Sequence, residues 1–89
     1  MDTLPGIELV EEGIRDLARG VETPMACLVS LGAPRLRTLG WDIPEPVIPE
    51  AEHRLYALLA REDQDSAHGR YNALVRRLVS YERSAACAR

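Results

Sequence analysis

The sequence contains no lysine, no phenylalanine and a single asparagine, Asn72. All three residue types have AT-rich codons, so their shared scarcity reads as the mark of a GC-rich, bacterial genome. The same bias accounts for all eleven basic side chains being arginine, without a special role for guanidinium groups. Cysteine is also sparse. Cys27 and Cys87 are too few for a disulfide framework and have no metal-ligand spacing. Both are expected as reduced thiols, Cys27 as a small core residue. No apolar run approaches the roughly 20 residues that a helical membrane span requires. The start, MDTLPGIELVEEG, has neither the basic opening nor the apolar block of a secretory signal. The expected location is the cytoplasm. A basic excess is missing too: net charge is −3 and the pI is near 5.3, opposite to the electrostatic footprint of a domain that neutralises phosphates. LGAPRLRTLG has glycines, but no strand precedes it and no Lys-Ser/Thr follows, so it is not a phosphate loop.

What remains is an 89-residue chain of ordinary globular composition, 46% hydrophobic and 28% charged. That length fits one domain, residues 1–89, with a core only just large enough to fold alone. Helix signals dominate. From near Thr3 to Pro5, the residues Ile7, Val10, Ile14, Leu17 and Ala18 recur at helical spacing, and Gly20 closes the helix. In ETPMACLVSLG, Thr23 is the N-cap, Pro24 opens the first turn and Gly32 ends it. A smaller copy follows between Pro34 and Gly40, presenting Leu36 and Leu39. Residues 41–49 hold prolines 44, 46 and 49 and predict an extended crossing anchored by Trp41, Ile43, Val47 and Ile48. Helix resumes at Pro49 or Glu50 and runs to about Arg61, burying Ala51, Leu55, Leu58 and Leu59. After the polar break EDQDS, with Asp65 or Ser66 as N-cap, a last helix runs to about Ala86. It is expected to bury Tyr71, Leu74, Val75 and Leu78. So short a break predicts an antiparallel C-terminal helical hairpin. The fold expected is an all-α bundle of four to five helices.

Charge is uneven along the chain. Residues 1–50 carry nine acids against four arginines, whereas from Arg70 onward five arginines face Glu82 alone. An acidic first helix and a basic last helix complement each other, within the bundle or between subunits.

Three chemical readings compete with a plain structural one. Residues 24–40 have the outline of a DNA-reading helix-turn-helix with Arg35 and Arg37 facing the bases. Against that, the second helix is cut short at Gly40, Leu28 stands where close packing wants a small residue, and Thr38 where it wants an apolar one. In REDQDSAHGRYN, Arg61 and His68 are separated by six residues at the mouth of the hairpin. This spacing resembles the Arg/His motif of HEPN-type nucleases. The resemblance, confined to these two residues, implies a helical dimer that cleaves RNA without metal, His68 acting as general acid or base and Arg61 stabilising phosphate charge. The alternative is an exposed turn, whose Glu62, Asp63 and Asp65 repel an RNA backbone and favour the start of the last helix. A metal site would recruit His53, Glu62, Asp63, Asp65 and His68. The two imidazoles, however, fall about 20 Å apart at 1.5 Å per residue, and Asp65 with His68 gives two ligands where zinc takes four. Cys27 lies among apolar residues with no histidine near it in sequence, which argues against a nucleophile. Neither metal nor cofactor is expected.

Glu82 falls within the apolar stripe of the last helix, where a carboxylate must be paired unless the stripe has left the core. Leu9, Tyr56, Val79 and Tyr81 fall off or at the edge of the main apolar faces. The expected interface combines Tyr56, Val79 and Tyr81 with a rim of Arg76 and Arg83, since tyrosine and arginine suit interface anchors. With no catalytic constellation carried by the residues, the function expected is non-enzymatic. It is that of an adaptor, regulatory or accessory subunit acting through protein contacts, with a second copy as partner.

Overall fold

The computed structural model describes residues 4–88, and among them are five helices and no strand. Met1, Asp2, Thr3 and Arg89, which entered the charge balance and the start of the first helix, lie outside the described residues. The elements are α1 (Ile7–Ala18), α2 (Pro24–Leu31), α3 (Ala33–Thr38), α4 (Ala51–Glu62) and α5 (Ala67–Cys87). The all-α expectation holds.

The middle of the fold is α2, which is apolar around its whole circumference and buries Ala26 through Ser30. A helix with no polar face must be surrounded. Accordingly α1 packs on one side of it and α4 on another, while α3 and α5 touch it more lightly. Its start follows the expected chemistry: the Thr23 hydroxyl oxygen accepts from the Ala26 N–H at 3.2 Å, with Pro24 in the first turn. The same hydroxyl donates to Asp16 Oδ2 at 2.7 Å and so ties the cap to α1. Two glycines set the packing distance. A Cβ on Gly13 would run into Val29 and the Met25 carbonyl, so α1 lies against the α2 backbone. Gly32 plays the same part for α5, as described below.

The proline-rich crossing forms no regular element between α3 and α4. Four contacts hold it down. Ile43 is buried; the Ile48 N–H donates to Ser30 Oγ at 3.1 Å; Arg37 Nη2 donates to the Ile43 carbonyl at 3.2 Å; and Trp41 Nε1 donates to the Tyr81 hydroxyl at 2.8 Å.

Several expectations need correction, each for a reason of packing. Leu9 is buried, because α1 contacts both α2 and α5 and so buries a wider arc than one stripe. Tyr81 is only 4% exposed, because the crossing lays Trp41 against it. It is therefore not part of an exposed interface. Tyr71, Leu74 and Val75 are half-buried, and the fully buried positions of α5 are Ala67, Leu78, Tyr81 and Glu82. Ser66 is the N-cap residue of α5, one of the two expected, but its side chain makes no capping hydrogen bond. Instead Asp63 Oδ1 accepts from the Asp65 N–H at 3.1 Å and shapes the turn.

Candidate functional site

The chemistry of this molecule concentrates where α5 crosses the turn between α2 and α3. Gly32 forms that turn. A Cβ there would sit 2.8 Å from Leu78 Cδ2 and 3.0 Å from Glu82 Oε2, so the missing side chain is what lets Leu78 and Glu82 settle onto the backbone. Glu82 is left 6% exposed, the one charged residue in the buried interior of the described chain. Its nearest cation is on α3. Arg35 Nη1 stands 3.9 Å from Oε1, beyond hydrogen-bonding range, on a side chain that is 71% exposed. Oε2 has no hydrogen-bond partner at all. Burial pushes the Glu82 carboxyl above its ordinary range, and the Arg35 charge pulls back only in part.

Two adjoining clefts open on either side of this pair. One, of about 300 Å³, is lined by Leu31, Arg35, Val75, Val79 and Glu82 among others. The second, of about 280 Å³, is lined by Arg35, Leu39, Glu82, Arg83 and Ala86. Together they form an apolar groove between α3 and the second half of α5, with a carboxylate in its floor and arginines at its edge. Of the residues singled out from the sequence, Val79 and Arg83 belong to this groove, and Arg76 is exposed one turn before Val79. Tyr56 does not join them: its ring lies 5.8 Å from that of Tyr71 and 6.4 Å from that of His68, on the α4–α5 seam. The expected patch is thus divided between two places, with Tyr81 beneath the surface.

The remaining candidates are more ordinary. Arg61 and His68 are both exposed, and the described contacts of His68 are with Asn72 Nδ2, 3.2 Å from its Nε2, and with the Tyr56 ring. Glu62, between them, faces Arg70 at 3.4 Å. Arg37 is held by the Ile43 carbonyl and, at 3.3 Å, by Glu45, so both arginines of α3 turn toward carboxylates of their own chain. Among the described residues no three His, Cys, Asp or Glu side chains gather as a metal site, and no helix is long and apolar enough to cross a membrane. Burial, reinforced by Glu22 and opposed by Arg54, pushes the Cys27 thiol up to about 11, which makes it a poor nucleophile near neutral pH. A further cleft, about 340 Å³ and lined by residues of α1 and α5 among others, has most of its polar groups engaged. Asp16 is taken by Thr23, Arg70 by Glu62, and Arg77 by Glu8 at 3.1 Å.

Sequence periodicity locates Glu82 but not its neighbours. Arg35 comes from a different helix, and only the turn at Gly32 brings it within reach. No protein-family model, curated protein or solved structure matches the chain.

Proposed function

We propose that this is a small cytoplasmic bacterial protein that acts through protein contacts and not through catalysis, as an adaptor, regulatory or accessory subunit. Its contact face is the α3–α5 groove, and the first partner of that face is a second copy of the chain. The observation that carries this reading is Glu82: a buried carboxylate, one oxygen without a partner, in the floor of an apolar groove. Such a group destabilises the lone molecule and gains when a donor is supplied from outside. The face also carries both signs of charge, with Arg35 and Arg83 beside Glu82. That composition suits the self-complementary patch of a two-fold dimer, the commonest closed assembly.

Light scattering coupled to size-exclusion chromatography over a concentration series tests the proposal. The mass is expected to rise from 9.9 kDa toward twice that value. Val79→Asp, at a half-buried groove position, is expected to hold the protein at the monomer mass with its helix content unchanged. A wild type that stays monomeric at the highest concentration overturns the reading.

A further inference from the structure

We propose that, in the dimer, each Glu82 carboxylate is paired by Arg35 of the partner subunit, so that two reciprocal arginine–carboxylate bridges fix the register of the interface. This rests on the dimer proposed above and names the contact that specifies it.

Within one chain the pair is poorly made, since the guanidinium stands 3.9 Å from Oε1 on a largely exposed side chain and leaves Oε2 unserved. Donor and acceptor nevertheless belong to one groove, Arg35 exposed at its edge and Glu82 in its floor. In an isologous contact, residue i meets residue j and j meets i, so a two-fold axis passing beside the pair brings each Arg35 to the other protomer's Glu82 without long reach. Clefts of about 300 and 280 Å³ flank the carboxylate and leave room for an incoming guanidinium and its stem. Oε2 is buried against Gly32, so the incoming guanidinium would meet Oε1, the oxygen turned toward Arg35, as a charge-assisted hydrogen bond. The flanking surface contributed by Val75, Val79, Leu39 and Ala86 would keep water from the bridge, which strengthens it.

The charged groups facing Glu82 are Arg35 from α3 and Arg83 from its own helix; the α2–α3 turn contributes Leu31, Gly32 and Pro34, none of them titratable. Association of the wild type is therefore expected to weaken as pH falls and Glu82 takes up a proton. Arg35→Gln should remove most of that dependence.

Mixing distinguishes a bridge between chains from one within a chain. Arg35→Gln and Glu82→Gln are each expected to weaken dimerisation about tenfold or more. An equimolar mixture of the two variants can form a mixed dimer that keeps one intact bridge, and it should associate more tightly than either variant alone. If the mixture is no tighter than the single variants, the pair acts within one chain and the inference fails while the dimer stands. A monomeric wild type ends both. Should Glu82→Gln not fold, the pH series on wild type and Arg35→Gln decides alone, and identical profiles for the two overturn the bridge.

Discussion

Glu82 and Cys27 are two buried titratable side chains whose pKa values are both raised, and each has a measurable consequence. A carboxyl with a higher pKa in the folded chain than in the unfolded one binds its proton more tightly when folded. Its contribution to stability is then fully present at low pH and is lost as pH rises through the folded value. Burial raises the Glu82 pKa, so Glu82→Gln should resemble the wild type at pH values below the ordinary carboxyl range, where both side chains are neutral. The variant should become the more stable of the two toward neutral pH, by roughly 1–2 kcal/mol, because a buried unpaired charge has been removed. Urea denaturation of the monomer at several pH values measures the difference; a wild type that gains on the variant with rising pH would refute the account of this residue. For the thiols, Cys87 is exposed and Cys27 is buried with its pKa pushed up to about 11. A thiol reagent should modify Cys87 in the native protein and reach Cys27 only on unfolding. The anomaly of Glu82 was legible in the sequence from its place in the stripe of α5. Its partner was not, because residue spacing along one helix carries no information about a cation on another.

At the scale of elements, the starts and stops of the helices were written locally. Thr23, Pro24 and Gly32 bound α2 as their chemistry requires, and Gly20 and Gly40 follow α1 and α3 at positive φ. Removing the cap by Thr23→Ala should cost about 1 kcal/mol, since the Ala26 N–H loses its acceptor and Asp16 its donor. Gly13→Ala should cost more, on the order of 1–3 kcal/mol, because the added methyl meets the α2 backbone, which cannot step aside as a side chain can. Denaturant midpoints of the two variants check the order. What local pattern did not reveal is how many neighbours each helix has. Leu9 and Val10 are adjacent and both buried because α1 serves α2 and α5 together, and Tyr81 is covered by a segment that is not a helix.

At the scale of the whole molecule, a proline-rich crossing and a glycine turn decide where the polar groups meet. Trp41 and Ser30 fasten the crossing to α5 and α2, which leaves the other flank of α5 facing α3 across the groove. Tyr81→Phe should remove one hydrogen bond, cost about 1 kcal/mol and change the fluorescence of Trp41, the sole tryptophan, without unfolding the bundle. On the proposal made above, copies of the chain meet at this flank, around Glu82. The most direct test is the concentration dependence of the backbone amide NMR spectrum, from low micromolar to millimolar protein. Shifts and broadening are expected only at Gly32, Arg35, Val75, Val79, Glu82 and Arg83. A spectrum that does not change with concentration, or changes that map instead to Tyr56 and the α4–α5 seam, would contradict it.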